Sequence, residues 1–352
     1  MTVFTSSAQR SLDDPGFRDH FLRLIGDGDE FGAVEAVTAL LDQGVPAQRI
    51  MADLITPAQQ RVGELWAANE WSIAREHAAT AISERALAAV AARSNVRPHR
   101  GRLTIACVDG EWHALPVRIL AETLRLDGWR VDFLGASVPG PHLVTHLHQT
   151  GPDAVALSCM IATRLPRAHA AITACRAAGV PVIAGGRGFG PGGRYAEKMG
   201  ADAWAGSAED AVARLAIDWP PVIDDPSTSA FLGDDEYTWV VRHRADLIAT
   251  ALERLAAAYP KVRRYDQRQA DATAEDTGHI VDFLAAALYV GEDRVFTDFI
   301  DWTNSVLTAR GVPPEALAAG LGVIRDQLHD WPGCLRLLDA GSIRLRPPAD
   351  AD

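Results

Sequence analysis

The sequence is poor in cysteine, in basic charge and in long apolar runs. Its 352 residues include four cysteines, Cys107, Cys159, Cys175 and Cys334, and none belongs to a C-x-x-C pair. Neither a disulfide framework nor a cysteine-rich zinc site is expected from that spacing. No stretch of about 18 apolar residues occurs, so no membrane span is expected. Residues Met1 to Arg10 lack the basic-then-apolar order of a signal peptide. Lys and Arg number 34 against 46 Asp and Glu, a net charge of −12. That balance argues against a general nucleic-acid surface, which needs clustered cations. A cytoplasmic protein that touches neither membrane nor nucleic acid is the expectation.

What is present is ordinary for a globular protein: 48% hydrophobic and 23% charged residues. The length corresponds to two or three domains. Leu40, Leu41, Ile50, Leu54, Ile55, Val62 and Leu65 recur three to four apart, as one buried helix face requires. Pro57 should kink this stretch or restart it. A second run, Ile73 to Arg93, is rich in Ala, Glu and Arg, and the first hundred residues read as a four-helix bundle. Ser94 to Arg102 reads as a linker. From Leu103 the pattern changes to short apolar runs, Leu103–Val108, Arg130–Leu134, Ala154–Leu157, Val180–Ala184 and Ala203–Ala205, with helical runs between them. Such alternation predicts a flavodoxin-like, five-stranded parallel sheet that binds its ligand beyond the strands' carboxyl ends. Proline-rich Trp219 to Ser229 reads as a second linker. Beyond it, Asp234–Ala258, Ala274–Val290, Asp293–Ala309 and Pro314–His329 read as helices of a third domain. The predicted domains are 1–97, 98–224 and 225–352.

Three constellations carry chemistry. The loop after the first strand holds Glu111, Trp112 and His113. A carboxylate two residues before a histidine can hold one ring nitrogen and leave the other for a metal. The third strand runs into Ser158 and Met160, and the fourth into Gly185, Gly186 and Gly188. Glycine there allows close backbone approach to a ligand. The loop is not a G-x-G-x-x-G fingerprint, so a dinucleotide is not expected. Together these residues resemble the cobalamin-binding fold of methionine synthase and its relatives, whose pattern is Asp-x-His-x-x-Gly, Ser-x-Leu and Gly-Gly. The departures are Glu111 for Asp, Pro116 for Gly and Met160 for Leu. The resemblance implies His113 as the lower axial cobalt ligand, with Ser158 and the glycines lining the slot for the vitamin's nucleotide tail.

Trp66, followed by nine residues and then Glu76-His77, resembles the motif of the light-sensing cobalamin regulators of carotenoid synthesis. The resemblance implies adenosylcobalamin, capped by the indole, with Glu76 on the ribose. In those regulators a histidine follows the Trp and captures cobalt after photolysis. Ala67 stands there in this chain, so either His77 or another donor takes the upper site, or no such adduct forms. Trp71 reads as packing. Residues Met1 to Asp14 are too short for the helix-turn-helix of those regulators.

In the last third, Glu275-Asp276-x-x-His279, Phe283 to Leu288, Trp302 and Arg310-Gly311-Val312-Pro313 resemble the globin-like domain of photocobilins, which join a cobalamin domain to a bilin-binding one. The resemblance implies biliverdin, with His279, Arg263, Arg264, Tyr265, Phe283 and Trp302 in its pocket, and an output through a partner or a light-dependent homo-oligomer. Two other readings stay open: a corrinoid methyl carrier, and a cobalamin sensor whose last domain binds haem or dimerises.

Overall fold

The computed structural model describes residues 12, 14–93, 96–217, 219 and 233–346. The proline-rich linker beyond Trp219 and the C-terminal Ala349 to Asp352 lie outside the described residues. Among the described residues, no helix is long and apolar enough to cross a membrane. Two compact units divide the chain. The first holds the described residues of 1–158, 178–183 and 205–222, and the second those of 159–177, 184–204 and 223–352.

The first unit opens with helices α1 (Pro15–Asp27), α2 (Glu30–Asp42), α3 (Ala47–Ile50), α4 (Thr56–Ala67) and α5 (Ile73–Ala92). Asp14 caps α1 by accepting from Gly16 N, and Ser72 caps α5 by accepting from Arg75 N. Pro57 lies in the first turn of α4, which starts at Thr56, in line with the restart expected there. It has no N–H to give the carbonyl four residues back, and the helix widens into a π-turn over Met51–Ile55, which joins α3 to α4. Phe21, Ile25, Val37, Leu40, Leu54, Val62 and Leu87 form the bundle core. Trp71 packs there as expected: a Cβ on Gly26 would come within 2.4 Å of its ring, and Arg75 lies 4.2 Å above it.

The sheet follows, with β1 (Arg102–Cys107), β2 (Arg130–Gly135), β3 (Ala154–Ser158), β4 (Val182–Gly185) and β5 (Ala203–Ala205) in the order β2-β1-β3-β4-β5. That is the flavodoxin-like order. Strand β1 pairs in parallel with β2 and with β3. Helices α6 (Ala114–Leu126), α7 (Gly140–Thr150), α8 (Leu165–Ala177), α9 (Arg194–Lys198) and α10 (Ala208–Ala216) connect and flank the strands. Leu115 and Ile119 of α6 join the bundle core, so the bundle grips the helix whose first turn begins at His113.

The second unit contains α8, α9 and an all-helical C-terminal region of α11 (Asp235–Arg242), α12 (Arg244–Ala258), α13 (Gln267–Val290), α14 (Asp293–Ala309), α15 (Pro314–Arg325) and α16 (Pro332–Arg344). It departs from the sequence expectation in three places. The first expected helix breaks at His243, whose ring stacks on Trp239 with centroids 4.2 Å apart. Helix α13 begins at Gln267 rather than Ala274 because Asp266 and Gln269 form a capping box. Helix α16, with Pro332 at its first position, follows where no helix was expected. Within this unit α8 meets α13: His169 Nδ1 lies 2.7 Å from the Tyr289 hydroxyl. Glu292, just past α13, accepts from Lys198 (2.5 Å) and Arg194 (3.1 Å).

Candidate cobalamin site

The loop between β1 and α6 is built around one buried carboxylate. The Glu111 side chain is fully buried, whereas that of His113 is 56% exposed. Oε1 of Glu111 accepts from the His113 backbone N–H at 3.0 Å and lies 2.6 Å from Nδ1 of the same residue. With Nδ1 held, the ring orientation and tautomer are set, and Nε2 on the far side of the ring is the nitrogen the carboxylate does not engage. Trp112, between them, is 73% exposed. Beneath the loop, burial and the nearby Glu111 push the Cys107 thiol up to about 12. It stays protonated, and its Sγ lies 3.7 Å from the His113 carbonyl. Ser158 ends β3 in a buried position, and its carbonyl accepts from Val108 N at 3.0 Å.

In the bundle, Trp66 is half-buried in the last turn of α4, and Glu76 and His77 lie in the first turns of α5. Glu76 pairs with Nδ1 of His77 and accepts from Thr80 Oγ1 at 3.1 Å. Thr80 in turn accepts from Gln59 Nε2 at 2.6 Å, and Ser83, wholly buried, donates to Gln59 Oε1 at 3.3 Å. Sequence reasoning missed Gln59, Thr80 and Ser83. A polar stripe at positions 76, 80 and 83 of an otherwise alanine-rich helix was the available signal.

The remaining expected cobalamin residues, Met160, Gly185, Gly186 and Gly188, belong to the second unit. Gly186 has φ +100, and a Cβ there would come within 2.4 Å of the Cys159 carbonyl oxygen. At Gly188 the same oxygen would be 2.8 Å away. The chain's own backbone therefore demands both glycines, whatever ligand they border. Met160 and Gly185 are half-buried.

In the C-terminal region, Phe283 of α13 stacks on Phe299 of α14 with centroids 3.9 Å apart, and Phe299 lies 6.4 Å from Trp302. Trp302 is 48% exposed, and the His279 side chain 53%. Burial raises the Asp276 carboxyl above its ordinary value, with the nearby His279 opposing it. Arg263, Arg264 and Tyr265 lie ahead of α13. At 1.5 Å per residue, Gln267 and His279 are about 18 Å apart along the helix, so only an elongated ligand would touch both groups.

Among the described residues, no cluster of three or more His, Cys, Asp or Glu side chains is placed to hold a metal. A cavity of about 270 Å³ lies elsewhere in the first unit, lined by residues including Val96, Pro98, Glu122, Arg125 and Trp129. Glu122 is already paired there with Arg118 and Arg125. The His113 loop fits a corrinoid cobalt in its donor chemistry. A corrin would supply most of the cobalt's donors itself and would need from the protein one well-oriented nitrogen, which His113 could offer.

Residues 101–216 match the family model of a B12 binding domain, and residues 18–91 match a second B12 binding domain model. The chain therefore carries a B12 binding domain, preceded by a second B12 binding match. Both matches end before the C-terminal helices. The chain is 31% identical over 198 residues to the HTH-type transcriptional repressor CarA of Myxococcus xanthus, covering 51% of this chain and 64% of that protein. It therefore spans less than two thirds of that relative's length. It is 25% identical over 199 residues to the trimethylamine corrinoid protein of Methanosarcina barkeri, covering 54% of this chain and 91% of that one. Among solved structures, the Methanosarcina barkeri monomethylamine corrinoid protein is similar, with 20% identity, a TM-score of 0.49, and coverage of 56% of this chain and 96% of that one. A cobalamin-binding protein from Desulfitobacterium hafniense DCB-2 is similar at 22% identity, with a TM-score of 0.33 and coverage of 56% and 97%.

Proposed function

We propose that this chain is a light sensor that holds adenosylcobalamin on His113, binds biliverdin in its C-terminal helices, and passes a conformational or oligomeric change to a partner protein. The observation that carries the cobalamin half is the grip of buried Glu111 on Nδ1 of half-exposed His113. The adenosyl–cobalt bond supplies the photochemistry, because visible light breaks it. The chain's own residues do the rest. His113 would offer Nε2 to the cobalt. Helices α1 to α5 would cover the bound cofactor, where the Trp66 indole would shield the adenosyl group and Glu76, steadied by Thr80, would accept from a ribose hydroxyl.

Loss of those contacts after illumination is the difference between states that can bias the bundle. Helix α6 carries the bias, because its Leu115 and Ile119 sit in the bundle core and its first turn begins at His113. With Ala67 beside Trp66, His77 is the candidate upper donor afterwards.

Helices α11 to α16 would form the bilin-binding part. Phe283 and Trp302 would pack on the chromophore, His279 would donate to it, and Arg263, Arg264 and Tyr265 would hold its carboxylates.

A second reading, a corrinoid methyl carrier, draws on the resemblance that spans 91% of the trimethylamine corrinoid protein. Binding of adenosylcobalamin and methylcobalamin to wild type and Trp66→Ala separates the two. A sensor prefers the adenosyl form and loses that preference with the indole. A carrier binds both alike, with or without Trp66.

A further inference from the structure

Among the described residues, two that are not glycine have positive φ: Asn69 and Ser137. Ser137 follows β2 with φ +49. A serine held in the left-handed region is uncommon and persists where its surroundings dictate it. The surroundings here are the loop that carries Glu111. The Ser137 backbone N–H donates to the Glu111 carbonyl at 2.8 Å. The Ser137 hydroxyl accepts from Gly110 N at 3.0 Å. Next along the chain, Val138 N donates to the Cys107 carbonyl at 3.2 Å. Three bonds thus fasten the loop after β2 to residues 107–111, and two of them use Ser137.

We infer that Ser137 is a positioning residue for the cobalt-facing imidazole, acting through Glu111. This inference rests on the axial role proposed for His113. Ser137 fixes the backbone on both sides of the Gly110–Glu111 peptide. The buried Glu111 carboxylate then has one direction in which to point, and His113 inherits its orientation from that carboxylate. A left-handed turn alone would be served better by glycine. What glycine lacks is the acceptor for Gly110 N.

That difference supplies the test. Ser137→Gly keeps the backbone geometry and the amide bond but loses the hydroxyl. Ser137→Asn tolerates the left-handed region and restores an acceptor. The full-length chain, its histidines labelled with 15N, is loaded with cob(II)alamin, and a two-line nitrogen splitting in its electron paramagnetic resonance spectrum reports the axial histidine, whereas the cofactor's own benzimidazole gives three lines. Affinity and melting temperature are measured alongside, and hydrogen exchange at Gly110 N is followed in the chain without cofactor. Ser137→Gly is expected to lower the axial-nitrogen fraction and weaken binding about tenfold, the low end of what partners orienting a metal ligand cost. Faster Gly110 exchange and an unchanged melting temperature accompany this, and Ser137→Asn restores the signal. An axial-nitrogen signal lost in His113→Ala but intact in Ser137→Gly overturns the inference and spares the role of His113. A signal that survives His113→Ala overturns that role, and the inference with it.

Discussion

One carboxylate oxygen of Glu111 engages His113 twice, accepting its backbone N–H at 3.0 Å and lying 2.6 Å from its Nδ1. The backbone bond places the start of α6, and the side-chain contact orients the ring. Removing the carboxylate leaves the imidazole in place but unaligned. Glu111→Ala is expected to weaken cobalamin binding about 10- to 100-fold, as loss of a ligand's orienting partner does. His113→Ala should abolish the axial-histidine signature in the absorption spectrum. Titration of the purified variants with cobalamin checks both.

Gly186 and Gly188 should tolerate no side chain, for a reason independent of the cofactor. Gly186→Ala places a Cβ 2.4 Å from the Cys159 carbonyl oxygen at φ +100. A destabilisation of about 1–3 kcal/mol or more is expected, from a strained backbone that its surroundings cannot relieve. Denaturant melts of the chain without cobalamin measure it. Wild-type stability in Gly186→Ala would contradict the packing described here.

How much of this was legible in the sequence follows from the range of each interaction. The strands were visible because β-branched and apolar runs alternate with helix formers. Glu111 and His113 were visible because the carboxylate and the imidazole are two residues apart. Ser137 was not: it bonds to Gly110 across 27 positions, and nothing local marks it. Gln59 and Thr80 are 21 positions apart and meet only when α4 packs on α5. Helix α16 was missed because Trp331-Pro332-Gly333 reads as a turn, although Pro332 occupies the first helical position. Gly333 N and Cys334 N there find Glu236, nearly a hundred residues away. The glycines after β4 were read as ligand-facing, and the structure supplies a reason in the chain itself.

The aromatic contacts between α13 and α14 separate stability from the proposed bilin binding. Phe299 is 7% exposed and stacked on Phe283. Phe299→Ala should cost about 3–5 kcal/mol, as expected for a buried ring. Trp302 and His279 are half-exposed. Their alanine variants should keep the wild-type melting temperature within about 0.5 kcal/mol of stability and alter only the bilin absorption band. Protein produced with a biliverdin-forming enzyme gives the readout.

His169 makes the second unit sensitive to acid. Burial holds its pKa below the ordinary 6.5 while its Nδ1 lies 2.7 Å from the Tyr289 hydroxyl. Above that ordinary value, both the folded and the unfolded chain carry a neutral ring. As pH falls below it, the unfolded chain takes up the proton first, so this contribution to stability is lost. Melting temperature should therefore drop below about pH 6.5, and His169→Phe should flatten that drop relative to wild type. Equal slopes in the two proteins would remove His169 as the cause.

The central claim is that light acts on a cofactor held at His113. Its most direct measurement is the absorption spectrum of the purified full-length chain, loaded with adenosylcobalamin, before and after green illumination. The account predicts loss of the adenosyl-bound spectrum in wild type, with a different photoproduct spectrum in His77→Ala. A spectrum unchanged by light would contradict it.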